Sequence, residues 1–146
     1  MPKKTKARIL HVDDNQDTRL LMAAVLGDAQ YGVMTAGTIS EAMQLAKDIE
    51  FDLFILDVRL EDGTGIELCQ KLRQLQPNVG VLYYSAYASD SEQQKALGVC
   101  GDAYLRKPVG ISDLEDAVAN LLAKKGIGVE TTAAASESTA AVPPPA

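Results

Sequence analysis

Leu53-Phe54-Ile55-Leu56 is the stretch that most restricts the folds open to this chain, because it is apolar without interruption and then stops on an acid, Asp57. A strand with one wet face alternates apolar and polar residues. A strand that does not alternate must be covered on both faces, and helices are the usual cover. Strands covered in that way run parallel and are joined by crossover helices. An acid at the last position of such a strand stands at the carboxyl edge of the sheet, where crevices form.

The rest of the chain supplies the other layers. Strands are expected over 8–12, 31–36, 53–56, 79–84 and 103–105, and helices over 17–26, 38–49, 65–75, 89–97 and 112–124. Helical spacing turns Leu20, Leu21, Ala24 and Val25 inward on the first helix and Ile39, Ala42, Met43 and Ala46 on the second. It does the same for Ile66, Leu68, Cys69 and Leu72 on the third, and for Leu114, Ala117, Val118, Leu121 and Leu122 on the last. Thr38/Glu41, Ser89/Glu92 and Ser112/Glu115 each match the S/T-x-x-E capping box, in which hydroxyl and carboxylate each satisfy an orphan backbone N–H. Lys124-Lys125-Gly126 reads as a helix stop. Five βα units with short connections give an α/β fold, a doubly wound parallel sheet with right-handed crossovers.

A chain of 146 residues, 47% of them hydrophobic, suits one globular domain. Residues 1–6 read as a basic leader, 7–125 as the domain, and 126–146, rich in Ala, Ser, Thr and Pro, as a disordered tail. The net charge of −6 argues against non-specific nucleic-acid or anionic-membrane partners. No stretch reaches the ~18 apolar residues of a membrane span, and the start has no apolar signal core, so a cytoplasmic protein is expected. Cys69 and Cys100 form no CxxC pair and are expected as reduced, packed thiols. His11, the single histidine, lies inside an apolar strand and is expected to pack there, which removes His-based metal clusters and Ser-His-Asp catalysis.

What gathers at the strand ends carries the chemistry. The first strand ends in Asp13-Asp14, the third in Asp57, the fourth in Ser85-Ala86, and the fifth leads to Lys107-Pro108. Three carboxylates share one crevice only if a cation offsets their repulsion. An all-oxygen set that leaves room for water suits Mg²⁺ better than zinc. Such an ion, with Lys107 and Ser85, would hold the oxygens of a phosphoryl group while ionised Asp57 acts as nucleophile.

The residues I-L-H-V-D-D-N (9–15), F-I-L-D-V-R-L-E-D-G-T-G (54–65), L-Y-Y-S-A (82–86) and D-A-Y-L-R-K-P (102–108) resemble the CheY-like receiver domain of two-component response regulators over about residues 7 to 124. The resemblance implies a flavodoxin-like (βα)5 sheet of order 2-1-3-4-5. It implies that Asp57 is the phosphoacceptor, served by a sensor histidine kinase or phosphotransfer protein. Asp13, Asp14, Asp57 and the backbone carbonyl of Arg59 would hold Mg²⁺. Ser85, Ala86, Lys107 and Tyr104 would bind the phosphoryl group and switch a face that an unknown downstream protein reads, and homodimerisation through that face is compatible with the family. Arg59 and Tyr87 occupy the positions that flank the path of attacking water, so slow self-dephosphorylation is expected, with no other enzymatic activity. One departure is visible: where the family usually has proline four residues after the phosphoacceptor this chain has Glu61, followed by Asp62, two acids expected to alter the loop or the metal affinity.

Three rival readings fit the residues less well. A haloacid-dehalogenase-type phosphatase needs an acid two residues after the nucleophile, where this chain has Arg59. A dinucleotide-binding loop needs glycine at Leu68. A receiver-like interaction module that is never phosphorylated has no need of the full acid, serine and lysine set. The sequence therefore favours a stand-alone phosphoacceptor domain.

Overall fold

The computed structural model describes residues 7–86 and 89–124. Five parallel strands, β1 (Arg8–Val12), β2 (Gly32–Ala36), β3 (Leu53–Leu56), β6 (Gly80–Ser85) and β7 (Ala103–Arg106), form one sheet in the order β2-β1-β3-β6-β7. Between β3 and β6 lies a two-strand antiparallel hairpin, β4 (Arg59–Leu60) and β5 (Gly63–Thr64). Without that hairpin the order is the expected 2-1-3-4-5. The helices are α1 (Gln16–Asp28), α2 (Ile39–Asp48), α3 (Gly65–Leu75), α4 (Asp90–Val99) and α5 (Ile111–Lys124).

Alternation along the strands sorts the core into two layers. Leu10, Val12, Phe54, Leu56, Val81 and Tyr83 face α2, α3 and the buried Ala96 of α4. Ile9, Leu53, Ile55, Leu82 and Tyr84 face Met22 and Leu26 of α1 and Leu114, Val118, Leu121 and Leu122 of α5. Every residue of β3 is buried, as its unbroken apolar run requires. Among the described residues, no helix is long and apolar enough to cross a membrane.

The first helix differs from expectation. Met22 and Leu26 are its buried residues, whereas Leu20 and Leu21 are 62% and 58% exposed. The run Leu20–Leu26 is apolar all the way round, so spacing alone cannot select a face. The helix entry selects it: Asn15 Oδ1 accepts from Thr18 N at 2.9 Å, and Arg19 Nη1 donates to the Asp13 carbonyl at 2.6 Å.

Helix starts also sharpen the sequence reading. Ser89 and Glu92 form the reciprocal box, and so do Thr64 and Glu67, a pair not singled out from sequence. Thr38 Oγ1 accepts from Glu41 N, but the Glu41 carboxylate turns to Gly37 N, so that box is incomplete. Ser112 is no cap at all, because α5 begins at Ile111 and Leu114 N already bonds Gly110 O. Lys125 and Gly126 of the expected stop, the 1–6 leader and the 126–146 tail lie outside the described residues.

The cysteines overturn their expectation. Cys69 of α3 and Cys100, which closes α4, are joined in a disulfide across 31 residues. Sequence spacing gave no sign of it, because the two meet only once β6 and β7 pair and bring the end of α4 against α3.

Candidate functional site

Each strand of the sheet's centre delivers its side chain through ordinary parallel pairing. Asp13 follows β1, and Asp13 N donates to Ala36 O at 3.0 Å; Asp57 follows β3, with Asp57 N on Val12 O at 3.0 Å. Ser85 ends β6, and Lys107, just past β7, donates its N–H to Ser85 O at 2.9 Å. The Lys107–Pro108 peptide that follows is cis. Gly65 is demanded by close packing: a Cβ there would run into the Asp57 carbonyl oxygen, and Gly65 N bonds Val58 O at 2.7 Å.

The carboxylates of Asp13, Asp14 and Asp57 each offer an oxygen within 4.8 Å of the others. Asp13, Asp57 and Ser85 are buried, while Asp14 is exposed. Asp57 Oδ1 accepts from Ser85 Oγ at 2.8 Å and from Arg59 N at 3.3 Å. Lys107 Nζ donates to Asp13 Oδ2 at 2.7 Å and to Asp57 Oδ2 at 3.4 Å, and lies 5.3 Å from the centre of the Tyr84 ring. Burial pulls the Lys107 ammonium toward its neutral form, but hydrogen bonding to Asp13 and the charges of Asp57 and Asp13 outweigh it and hold its pKa above the ordinary lysine value. The site therefore keeps a cation among its acids.

Tyr104 of β7 packs against Tyr83 with ring centres 5.7 Å apart and planes tilted by 40°. Burial raises its phenol pKa, and a hydrogen bond with Ser85 pulls the other way, so Tyr104 already stands beside the serine. Ala86 is exposed at the mouth. Arg59 contributes its amide to Asp57 and has an exposed side chain. Tyr87 lies outside the described residues.

Of the two extra acids, Asp62 turns from the crevice to the N-terminus of α2, accepting from Ile39 N at 2.9 Å and Ser40 N at 3.3 Å. The Ile39 bond foremost holds the Asp62 carboxyl below its usual range. Sequence reasoning also missed Asn15 and Arg19, which fix both ends of Asp13: Asn15 N donates to Asp13 Oδ1 at 2.9 Å and Arg19 to the carbonyl. Asn15 closes the 9–15 motif, but nothing in the motif gives it this role, and no motif marks Arg19. His11 is fully buried as expected, but its environment is unusual. Burial above all, with the Lys107 charge adding, pushes its pKa down to about 3, so the ring is neutral.

The family model described as the response regulator receiver domain matches residues 9–119. The chain belongs to that family. This receiver domain is 34% identical over 118 residues to the response regulator protein PilR of Pseudomonas aeruginosa, covering 81% of this chain and 26% of PilR. It is 31% identical over 132 residues to the signal transduction histidine-protein kinase BarA of Escherichia coli, covering 88% of this chain and 14% of BarA. The match thus spans only a part of those relatives. Among solved structures, a CheY-like receiver domain protein from Methanospirillum hungatei superposes with a TM-score of 0.79 at 30% identity, covering 84% of this chain and 98% of that one. The chemotaxis response regulator CheY4 of Vibrio cholerae gives 0.75 at 28% identity, covering 80% and 99%.

Proposed function

We propose that this receiver domain accepts a phosphoryl group on Asp57 from a phosphohistidine of a sensor histidine kinase or phosphotransfer protein. The observation that carries the reading is the Asp57 carboxylate, gripped by Ser85 on one oxygen and approached by Lys107 on the other, at the edge of a three-acid cluster. A carboxylate oxygen attacks phosphorus, an O–P bond forms, and the N–P pair stays on the departing imidazole. Lys107 neutralises the charge that gathers on the phosphoryl oxygens, and the Ser85 hydroxyl and Arg59 amide orient the carboxylate.

Oxygen donors at this spacing fit a hard divalent ion, and Asp13, Asp14, Asp57 and the Arg59 carbonyl are the groups we assign to Mg²⁺. When bound, the ion offsets the repulsion between acids and phosphoryl group. Ser85 and Tyr104 already touch, so drawing the Ser85 hydroxyl onto a phosphoryl oxygen would free Tyr104 to move and alter the surface around α4 and β7. A downstream protein would read that surface, and this same surface is where a homodimer would form. Beside the pocket, Leu21 and Ile111, 58% and 56% exposed, line an apolar groove between α1 and α5, which with the neighbouring exposed Leu20 we assign to docking of the phosphodonor. The cytoplasmic placement follows from that donor.

The test is intact-mass measurement after incubation with Mg²⁺ and acetyl phosphate. Wild type is expected to gain one phosphoryl group and Asp57→Asn none; a wild type that gains nothing marks the domain as a passive interaction module. Followed in time, the same assay reads self-dephosphorylation, which we expect to be slow and to quicken in Arg59→Ala as the path for water opens.

A further inference from the structure

Among the described residues, the buried side-chain nitrogens without a partner are Arg73 Nε and both nitrogens of the His11 ring. The imidazole sits between Thr35 of β2 and Ile55 of β3 in the middle of the sheet, where an aliphatic side chain would leave nothing unsatisfied. Its direction is informative. His11 and Asp13 are two residues apart on one strand and so share a face, and His11 Nε2 lies 3.8 Å from Asp13 Oδ2. That oxygen is the one Lys107 holds at 2.7 Å.

Lys107 cannot stay with Asp13 undisturbed if Asp57 is phosphorylated. The new group brings about −1.5 to −2 charges to a site whose carboxylate the ammonium already approaches to 3.4 Å. As Lys107 turns to it, Asp13, with 0% exposure, keeps the Asn15 amide on Oδ1 but loses its hydrogen-bond donor on Oδ2, where an ion held by the acids would still leave a lone pair open. Arg19 binds the backbone carbonyl of Asp13 and gives no help there. A buried carboxylate oxygen without a donor is strongly disfavoured. The group below it is an imidazole, which carries an N–H, and it needs to close by about 1 Å to reach hydrogen-bond distance.

We propose that His11 is a positioning residue: it waits beneath Asp13 and donates Nε2–H to Asp13 Oδ2 when Lys107 leaves for the phosphoryl group. The inference rests on the phosphoacceptor role of Asp57. It explains why an unpaired polar ring is tolerated in the core, since the ring's partner is supplied only in the activated state.

The experiment is ¹⁵N NMR of the His11 ring nitrogens in the protein alone, with Mg²⁺, and with Mg²⁺ plus beryllofluoride as phosphoryl mimic, alongside the variants His11→Leu and His11→Gln. A change of the Nε2 signal confined to the beryllofluoride state, with Nδ1 unprotonated throughout, is the expected result. His11→Leu is expected to melt no lower than wild type, yet to lose about tenfold in apparent Mg²⁺ affinity in the presence of beryllofluoride, the scale on which partners of ligating carboxylates act. His11→Gln, which retains an N–H, is expected to recover most of that loss. Ring signals identical in all three states, or a His11→Leu variant that matches wild type in Mg²⁺ affinity, would overturn the proposal while leaving phosphorylation of Asp57 standing. A wild type that takes up neither acetyl-phosphate phosphorus nor beryllofluoride removes the phosphoacceptor reading itself, and the role of His11 falls with it.

Discussion

The two sides of the sheet are finished to different degrees. On the α2–α4 side most polar groups are paired, although Arg73 Nε is not and Leu75 and Val99 are exposed. Thr64/Glu67 and Ser89/Glu92 close their helices reciprocally. Asp62 caps α2, and Gln76 bonds Ala46 O, Ile49 O and Phe51 N at once. Asp102 takes both Arg73 and the Val81 amide, and the disulfide joins α3 to the end of α4. On the α1–α5 side, Leu20, Leu21 and Ile111 face solvent, His11 has no partner, and Lys107 is divided between two acids. The first side carries the cross-link and most of the helix closures, and the second carries exposed apolar residues and an unpaired ring beside the pocket.

That contrast breaks most visibly if a lesion on the finished side disturbs the chemistry. Cys69→Ser opens a cross-link spanning 31 residues, for which the chain-entropy argument gives a loss of about 3–4 kcal/mol. Denaturant titration under oxidising conditions should show it, with phosphoryl uptake from acetyl phosphate retained below the transition. A parallel collapse of uptake would mean that the two sides are one mechanical unit.

The opposite lesion is Leu20→Ser with Leu21→Ser. Both side chains are exposed, so stability should change by no more than about 0.5 kcal/mol. Transfer from a phosphohistidine donor should slow about tenfold, equivalent to about 1.4 kcal/mol, while acetyl phosphate, which needs no docking surface, serves as well as before. Equal loss with both donors would place the defect in the pocket instead.

Asp62→Ala gives the smallest effect, about 1 kcal/mol for a lost helix cap. Because the folded Asp62 carboxyl titrates below its unfolded value, its contribution is present above about pH 4 and fades as the pH falls through the lower folded value. Thermal melts should therefore separate wild type from variant at pH 7 and bring them together in acid. Mg²⁺ affinity should not change, since the cap consumes the carboxylate that the sequence placed near the metal.

What could be read from sequence was whatever local pattern determines. The strand ends are legible because an apolar run that stops on Asp57, or on Asp13-Asp14, leaves little freedom over which residues meet at the edge. The face of α3 is legible because Glu67, Gln70 and Lys71 leave a single apolar stripe through Leu68, Cys69 and Leu72. The face of α1 is not, since seven apolar residues in a row carry no phase and the phase comes from Arg19 and Asn15 docking on Asp13. Ser112 imitates a cap, but the helix is already under way two residues earlier, at Gly110. The disulfide, the capture of Asp62 by α2 and the empty shell of His11 all depend on segments far apart in the chain, so no local pattern contains them.

The bond at Cys100 also shapes how α4 is free to travel. Its far end is fastened to α3, while its near end begins five residues past Ser85, the last residue of β6 and the donor to Asp57. A helix of 10 residues is about 15 Å long, so a tug at the pocket, if the proposed switching occurs, would become a swing about a fixed post instead of a slide along the sheet. Under the proposed switching, displacement would be greatest at Asp90 and dwindle toward Val99, and the first turn of α4 would be the indicator needle of the domain.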